Sequence, residues 1–370
     1  MVLLFHHIIV ALYLLFSWVY RTLFERVLIL ISNYNIMMTQ STKIDIKEVP
    51  MGFRILGTGS ALPDKILTND DLSGIVETSD EWIMTRVGVR QRHIAVEETT
   101  ADLAYGAAVK ALEMSGLTAA DIDLIICGTI TPDRVCPTVA GTVQARLGAN
   151  CPAFDINSAC SGFLFALDTA AGFFAKGGIR NAIVIGAERI SKIIDWTDRS
   201  TCVIFGDGAG AAVLGQCEEN RYLCSELVTM GGENVIKIPA YAGTSIFTDT
   251  SDADKPVVFM EGQETFKFAV GALTGHIRSM CEKIGAEVTD LDHIVPHQAN
   301  IRIISMAARK LGLPMDKFTV NIETTGNTAA ASVPIALDEA NRAGKLKRDS
   351  LIAMTAFGGG LSSAGCVIRW

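Results

Sequence analysis

From residue 51 onward, apolar and polar positions follow the same order twice along the chain. The stretch LAYGAAVKALEMSG (103–116) has the spacing of an amphipathic helix, and a short loop separates it from the apolar strand pattern DLIICGT (123–129). FAVGALTGHIRSMCEKIG (268–285) and DHIVPHQ (292–298) repeat this order. The pattern therefore predicts two copies of one helix–loop–strand unit. In each copy a glycine that can cap the helix precedes an aspartate by seven residues, Gly116 with Asp123 and Gly285 with Asp292.

The repeat extends beyond these units, since each copy also has a further helix, a strand–turn–helix segment and a late apolar strand. Alternating helices and fully apolar strands predict an α/β fold with mostly parallel sheets and helices on both faces. We therefore expect two duplicated halves, 51–217 and 218–370, related by a pseudo-twofold axis. The corresponding later segments are FDINSACSGFLFALDTA (154–170) with TVNIETTGNTAAASVPIALDEA (319–340), and AIVIGAE (182–188) with SLIAMTAFGGG (350–360).

Three polar residues lie where an apolar strand pattern gives way to a helix pattern: Cys160, His297 and Asn327. The N-terminus of a helix offers unpaired N–H groups and partial positive charge, which predicts a lowered thiol pKa and a nucleophilic Cys160. Pseudo-twofold symmetry would bring all three residues to one cleft. Taken singly, each residue has a structural alternative, namely an inert buried cysteine, a hydrogen-bonded histidine and a turn asparagine.

The glycine-rich run FGDGAG (205–210) lies between the apolar runs VIF and AAVL. It lacks the spacing and the lysine of a nucleotide-binding loop. An Asp-Gly pair between two apolar runs favours a β-hairpin with a type I′ turn, so we predict a hairpin at this position.

Composition narrows the classes of function. The 370 residues are 49% hydrophobic and 19% charged, which is typical of a folded protein. A net charge of −8 argues against nucleic acid as a partner. The nine cysteines are scattered and form no CxxC pair, which favours a reducing, cytoplasmic location and predicts no metal site.

The first fifty residues differ from the rest. Residues 2–19 (VLLFHHIIVALYLLFSWV) are apolar and just long enough to cross a bilayer, and no basic segment precedes them as in a secretory signal. If they span a membrane, the positive charges that follow would leave the remaining chain in the cytoplasm. The alternative is a misassigned start, because Met51 opens directly onto GFRILGTGSALP. We expect 1–50 to be a hydrophobic extension outside the fold, with membrane contact only if 2–19 are retained.

Residues 51–370 resemble the 3-oxoacyl-[acyl-carrier-protein] synthase III family of the thiolase-like superfamily. The resemblance rests on seven motifs in the same order: GTGSALP, TSDEWIMTRVGVRQRHI, CPAFDINSACSGF, FGDGAGAAVLG, HQANIRI, GNTAAASVP and AFGGG. Together they are far more specific than any one short motif. The resemblance implies a thiolase-like five-layered αβαβα fold with two pseudo-duplicated halves, and a homodimer.

The same resemblance implies the initiating condensing enzyme of type II fatty acid synthesis, an acyltransferase. Cys160 would take an acyl group from acyl-CoA, with acetyl-CoA as the expected donor. His297 and Asn327 would bind the thioester carbonyl of malonyl-acyl carrier protein and stabilise the enolate formed on loss of CO2. The backbone N–H groups of Cys160 and Gly359 would form an oxyanion hole. Acyl-CoA is a substrate, and no cofactor is implied.

Two further groups of residues match binding positions of the family. Trp82, Arg86 and Arg199 would hold coenzyme A, because an indole and a guanidinium can stack on adenine and arginines suit phosphates. Arg302, Arg309 and Lys310 would form a basic stripe along one helix face that attracts the acidic carrier protein. The structural alternative for the first group is a surface tryptophan with arginines in ordinary salt bridges. For the second group it is an exposed helix face with solvated charges.

Three other functions stay open at this point. A related thiolase-like acyltransferase, or a ketosynthase of secondary metabolism, would use another acceptor. A papain-like hydrolase also has Cys, His and Asn in that order, although FDINSACSGF lacks the glutamine- and tryptophan-rich context of that class. A non-catalytic, membrane-tethered scaffold is suggested only by residues 2–19.

Overall fold

A computed structural model describes residues 52–232, 234–239 and 256–370. The hydrophobic extension predicted for residues 1–50 lies outside these residues. Across the described ranges, no helix combines the length and the apolar character that crossing a bilayer requires.

The described chain up to residue 217 begins with β1 (Gly52–Ala61), β2 (Ile66–Thr68), α1 (Asn69–Ser73), α2 (Asp80–Arg86), β3 (Gln91–His93) and α3 (Thr100–Ser115). It continues with β4 (Leu124–Gly128), α4 (Val139–Leu147), β5 (Ala153–Ile156), α5 (Gly162–Lys176), β6 (Asn181–Arg189), α6 (Arg199–Cys202) and β7 (Asp207–Cys217). A 3₁₀ turn, Ala159–Ser161, leads directly into α5.

The remaining elements are β8 (Tyr222–Thr229), β9 (Ile236–Lys237), β10 (Phe259–Met260), α7 (Gly262–Lys283), β11 (His293–Pro296) and α8 (Ile301–Leu311). They are followed by α9 (Ile322–Thr325), α10 (Ser332–Arg342), β12 (Leu351–Gly358) and β13 (Ser362–Arg369). The 3₁₀ turn Ala329–Ala331 leads into α10 as its counterpart leads into α5.

Two main sheets organise the fold, with strand orders β1-β7-β6-β4-β5 and β11-β12-β13-β8. Pairing is parallel between β4 and β5, between β4 and β6, and between β11 and β12. The other pairs of these sheets are antiparallel. The prediction of mostly parallel sheets was therefore wrong. A fully apolar strand pattern indicates only that both faces of the strand are buried. The antiparallel strands β7 and β13 are buried on both faces too, so this pattern does not distinguish the two strand directions.

The helices form three layers around the two sheets. Helices α5 and α10 pack between the sheets, where Phe163, Phe174 and Leu337 belong to one core with residues of both sheets. Helices α3 and α4 cover the outer face of the first sheet, and α7 and α8 cover the outer face of the second. The layers alternate α, β, α, β and α, so the predicted five-layered fold is confirmed.

The duplication is visible in matching hydrogen bonds at the starts of β4 and β11. The backbone N–H of Asp123 donates to the carbonyl of Asn181 over 2.9 Å, and that of Asp292 donates to Leu351 over the same distance. Each carboxylate accepts the N–H of that partner, over 3.1 Å at Asp123 and 2.8 Å at Asp292. The glycine–aspartate spacing in the sequence therefore marks equivalent points of two copies.

The predicted hairpin at FGDGAG is wrong, because β7 begins within this run at Asp207 and continues as one strand. The Asp207 side chain is fully buried. Its carboxylate accepts hydrogen bonds from the backbone N–H groups of Ala95 and Ser191, over 2.8 and 2.9 Å. The aspartate therefore joins three segments through its side chain and does not occupy a turn.

Candidate active site

Cys160, His297 and Asn327 line one cavity of about 590 Å³. Cys160 and His297 come from two different strand-to-helix junctions, as predicted. The prediction of such a junction for Asn327 was wrong, because this residue lies between the short helix α9 and the 3₁₀ turn before α10. Most of the other lining side chains are apolar, including Ile190 and Phe205. The three polar groups thus meet in a largely apolar pocket, where hydrogen bonds and charges act more strongly than they do in water.

Cys160 lies in the 3₁₀ turn Ala159–Ser161, immediately before α5 and not in its first turn. The turn is held by Asn157, whose side-chain oxygen accepts the N–H of Ala159 over 3.3 Å, and Ala159 has a φ of 46°. Gly358 approaches from β12. A Cβ at that position would lie 2.7 Å from the Cys160 nitrogen, so only glycine fits there.

The thiol of Cys160 is less acidic than the sequence led us to expect. Burial is the largest cause, and the negative charge of Glu188 adds to it, so the pKa of Cys160 rises to about 12. A backbone N–H lowers the pKa, as predicted, but by less. The prediction of a lowered pKa was therefore wrong, and the resting group at neutral pH is the thiol.

His297 follows the last residue of β11, and its backbone N–H donates to the carbonyl of Thr355 over 2.8 Å. The ring meets Phe357 edge-on, with centroids 5.1 Å apart. Within the described part of the chain its buried Nδ1 has no hydrogen-bond partner. Burial lowers the pKa of His297 to about 3, so the imidazole is neutral and offers one N–H donor.

Asn327 precedes the 3₁₀ turn Ala329–Ala331, and its backbone is fixed on both sides. Its N–H donates to Ile204 over 2.9 Å, and its carbonyl accepts the N–H of Gly206 over 3.0 Å. The side-chain oxygen accepts the N–H of Ala329 over 2.9 Å. This leaves the Nδ2 donors as the end of the amide that can bind a substrate oxygen.

The glycines of AFGGG lie against this site. Gly358, Gly359 and Gly360 all line the cavity. The predicted oxyanion-hole residue Gly359 has more room than its neighbour, since an added Cβ would lie 3.3 Å from Ile236 Cγ2. The closest approach to Cys160 is made by Gly358, which the sequence did not single out.

The predicted coenzyme A residues lie together and are not among the described residues that line the cavity, although Trp82 packs against the same apolar cluster as Ile190 and Phe205. The guanidinium carbon of Arg199 lies 4.8 Å from the centre of the Trp82 ring, and that of Arg86 lies 5.7 Å away. Arg199 also donates to the carbonyl of Glu77 over 2.9 Å. One indole and two cations are therefore brought together, as stacking on a base and contact with phosphates would require.

The predicted basic stripe is exposed on α8, with Ala307 and Ala308 buried on the opposite face. Arg302 lies with its guanidinium carbon 5.8 Å from the Phe266 ring of α7. Arg278 of α7, which the sequence did not single out, donates to the carbonyl of Lys310 over 2.7 Å. The stripe, Arg302, Arg309 and Lys310, thus runs beside a further cation.

Two other residues at the site were missed by the sequence. Phe357 fixes the plane of the His297 ring, and it could have been found as the residue that opens the FGGG run. Glu188 is fully buried, and its charge raises the pKa of Cys160; its only signal in the sequence is a carboxylate at the end of the apolar strand AIVIGAE. In the described ranges, no group of three His, Cys, Asp or Glu residues is arranged to hold a metal ion.

Comparisons with known proteins agree with this geometry. The family model for 3-oxoacyl-[acyl-carrier-protein (ACP)] synthase III matches residues 154–231, and the model for the C-terminal part of that family matches residues 281–370. The chain is 46% identical over 318 residues to the β-ketoacyl-[acyl-carrier-protein] synthase III of Clostridium acetobutylicum, covering 85% of this chain and 98% of the relative. Identity to the Xanthomonas campestris pv. campestris enzyme is 47% over 319 residues, covering 86% of this chain and 98% of the relative.

A solved structure gives the same result. The crystal structure of 3-oxoacyl-[acyl-carrier-protein] synthase III from Aquifex aeolicus VF5 is similar with a TM-score of 0.80 and 44% identity, covering 86% of this chain and 100% of that chain. The fold, the order of the motifs and this level of identity lead to one conclusion. The chain belongs to the 3-oxoacyl-[acyl-carrier-protein] synthase III family.

Proposed function

We propose that the protein is the initiating condensing enzyme of type II fatty acid synthesis. It transfers an acyl group from acyl-CoA to Cys160 and condenses it with malonyl-acyl carrier protein, giving 3-oxoacyl-acyl carrier protein and CO2. The observation that supports this most is the meeting of Cys160, His297 and Asn327 in one largely apolar cavity. Family membership supplies the reaction, and the geometry supplies a group for each step.

In the first step, the sulfur of Cys160 attacks the thioester carbon of acyl-CoA. The C–S bond to coenzyme A breaks, and coenzyme A leaves with the proton that the cysteine gives up. The carbonyl oxygen is negatively charged in the tetrahedral intermediate. Backbone N–H groups of Cys160 and Gly359 are the proposed donors to it, because they come from the two chain segments that meet at this point.

In the second step, malonyl-carrier protein loses CO2, and the electron pair of the broken C–C bond moves onto the thioester as an enolate. His297 and Asn327 each donate one hydrogen bond to the enolate oxygen. Such a donor in a dry pocket stabilises the charge by on the order of 3 kcal/mol. A neutral His297 suits this role, since it donates without being a strong acid. The enolate carbon then attacks the acyl carbon, and the C–S bond to Cys160 breaks. The thiolate that leaves takes up a proton from water and returns to the resting thiol.

The cavity wall supports an acyl chain as the transferred group. Apolar side chains from several elements line it, and acetyl is the proposed primer. The volume of about 590 Å³ also leaves room for longer chains. The apolar residues on the wall include Phe165, Ile193, Ile236, Val258 and Met260.

Coenzyme A is proposed to bind at Trp82, Arg86 and Arg199, and the carrier protein at Arg302, Arg309 and Lys310. A basic surface on a chain of net charge −8 would attract the acidic carrier. We also propose a homodimer in the cytoplasm, with no cofactor. Strands β1 and β5 are the two edges of their sheet, and a second copy could extend the sheet at one of them.

The experiment is a condensation assay with the purified protein, a panel of acyl-CoAs and malonyl-carrier protein, read by mass spectrometry of the carrier. The expected product is carrier-bound 3-oxoacyl chain that Cys160→Ser does not form. Free acid released from acyl-CoA without condensation would instead indicate a hydrolase. Acyl transfer to an acceptor other than the carrier would indicate a related acyltransferase.

A further inference from the structure

Gln298 follows His297 directly and is fully buried, and none of the steps described above uses it. A buried side-chain amide has two N–H donors and one carbonyl acceptor, and burying them without partners is costly. Gln298 is not among the described residues that line the cavity, so it does not touch a substrate bound there. The partners of its amide therefore indicate what the residue holds in place.

The side chain of Gln298 joins the end of β11 to the segment that leads into α9. Its Nε2 donates to the carbonyls of Pro296 and Thr319, over 2.8 and 3.0 Å. Its Oε1 accepts the backbone N–H of Asn321 over 3.1 Å. Two carbonyls lie at one end of the amide and one N–H lies at the other, so a single orientation of the amide pairs every group.

The segment held in this way leads to Asn327. Asn321 immediately precedes α9, and its carbonyl accepts the N–H groups of Thr324 and Thr325, over 3.0 and 3.2 Å. Gly326, with a φ of 67°, follows this single helical turn and precedes Asn327. A shift of Asn321 would therefore be transmitted through one short turn to the amide of Asn327.

The backbone of Gln298 holds the chain on the other side of Asn327. Its N–H donates to the hydroxyl oxygen of Ser332 over 2.7 Å. Ser332 is the first residue of α10 and follows the 3₁₀ turn Ala329–Ala331, to which the side chain of Asn327 is bonded. One residue at the end of β11 thus binds the segments before and after Asn327.

Two other hydrogen bonds join β11 to the same segment, and both lie further from His297 along the strand. The N–H of Thr319 donates to the carbonyl of Ile294 over 2.9 Å, and its hydroxyl lies 2.7 Å from Nε2 of His293. These bonds should keep the segment attached to β11 when the amide of Gln298 is removed. A variant can therefore lose the alignment of the two donors without losing the fold.

We propose that Gln298 is a positioning residue of the condensing site, which holds Asn327 in place relative to His297 so that both donate to one enolate oxygen. Two donors act together only when both lie within hydrogen-bond distance of the same atom. The inference rests on the proposed function for the reaction that these donors serve. Acetyl transfer to Cys160 uses neither donor, so its rate is an independent measure of the fold.

The test compares two rates in Gln298→Met, namely release of CO2 from malonyl-carrier protein and acetyl transfer from acetyl-CoA to Cys160. Methionine is close to glutamine in size and removes all three side-chain hydrogen bonds. We expect kcat for CO2 release to fall about 30-fold, with KM and acetyl transfer within about twofold of native, because a small displacement of one donor weakens only the step that it serves. Native CO2 release, or an equal loss of both rates, would overturn the proposal.

Gln144→Met is the matched control. Gln144 on α4 also donates from Nε2 to a backbone carbonyl, that of Ala149, and it is not among the described residues that line the cavity. The same exchange at this position should leave both rates within about twofold of native. A loss of CO2 release as large as that in Gln298→Met would show that the effect is not specific to Gln298, against the proposal.

A double-variant cycle separates positioning of Asn327 from a general loss of structure. In Asn327→Ala there is no amide left to align, so adding Gln298→Met should reduce CO2 release by less than about threefold. A further loss of about 30-fold, as large as in the native background, would mean that Gln298 acts independently of Asn327 and would contradict its assigned role.

If Gln298→Met does not fold, Ser332→Ala decides. This variant removes the acceptor of the Gln298 N–H and leaves the side-chain amide in place. CO2 release should fall about fivefold, with acetyl transfer unchanged, and a native rate of CO2 release would reject the positioning role. CO2 release absent from the native protein itself would instead reject the proposed function.

Discussion

The turn before α5 and the turn before α10 have the same backbone and different chemistry. In each, an asparagine accepts the N–H of the alanine two residues later, Asn157 from Ala159 and Asn327 from Ala329. Both alanines have a φ of 46°, in a region that residues other than glycine rarely adopt. The residue after the alanine is Cys160 in the first turn, and in the second it is a second alanine.

The ends of β4 and β11 differ in a similar way. The residue equivalent to His297 is Gly128, and a Cβ there would lie 2.4 Å from the carbonyl carbon of Gly162 at the start of α5. In the first copy, Gly128 lets α5, the helix that follows Cys160, approach the end of β4. In the second copy, the equivalent residue is His297, whose side chain lines the cavity. The comparison teaches that one duplicated scaffold places different groups at equivalent points of its two copies. The proposed function assigns the nucleophile to the first copy and the two donors to the enolate to the second.

The largest effect should come from removing the thiol. Cys160→Ser should reduce acyl transfer at least about 10³-fold, because a hydroxyl is a much weaker nucleophile at neutral pH. Cys160→Ala combined with Ala330→Cys places a thiol at the equivalent position of the other turn, which is fully buried. This double variant should stay inactive, as read by intact mass after incubation with acetyl-CoA. Acetylation of the relocated thiol would show that the two turns are interchangeable.

A smaller effect should come from crowding the first turn alone. Gly358→Ala would place a Cβ 2.7 Å from the nitrogen and 2.9 Å from the Cβ of Cys160. A displacement of the nucleophile by about 1 Å should slow acetyl loading on the order of 100-fold. Gly172→Ala on α5 is the control, since nothing lies within 4 Å of its added Cβ. Native loading rates in Gly358→Ala would mean that the close approach has no role.

Reversing charge on α8 should affect only the step assigned to the second copy. Arg309→Glu with Lys310→Glu should raise KM for malonyl-carrier protein about tenfold and leave acyl-CoA loading intact, because the carrier is acidic. Lys347→Glu with Arg348→Glu changes the net charge equally at another exposed position and serves as control. Steady-state kinetics in both half-reactions measure the effect. Equal KM values in the two double variants would reject a docking role for the stripe.

The smallest expected effect is the response of decarboxylation to pH. Burial lowers the pKa of His297 to about 3, so the imidazole stays neutral at every pH above about 4. With acetylated enzyme, decarboxylation should vary less than about twofold from pH 5.5 to pH 7.5. A titration with its midpoint near pH 6.5, the ordinary value for histidine, would show that His297 is accessible to protons.

Much of the fold could be predicted from the sequence, since the repeated order of helices and strands marks both copies. Strand direction could not. An apolar run shows that both faces are buried, and in this layered fold both parallel and antiparallel strands are covered on both faces. The Asp-Gly pair at 207–208 was misread for a related reason, because the hydrogen bonds of Asp207 go to Ala95 and Ser191, which are distant in the chain.

The site was predictable where its residues lie at strand-to-helix junctions, as Cys160 and His297 do, and Asn327 was found through the equivalent segment of the second copy although it follows a short helix. It was not predictable where a property depends on contacts between sheets. The pKa of Cys160 was expected to be low from the nearby helix, yet burial and Glu188 raise it. Gly358 was missed because its closeness to Cys160 arises only when β12 packs against the turn before α5.

The most direct test of the division of labour uses His297→Ala and Asn327→Ala with radioactive acetyl-CoA and malonyl-carrier protein. Each variant should still carry the acetyl label on Cys160, while decarboxylation falls on the order of 100-fold or more for the loss of one donor. Acetyl label absent from Cys160 in either variant, or 3-oxoacyl product formed at the native rate, would contradict the assignment of the two steps to the two copies.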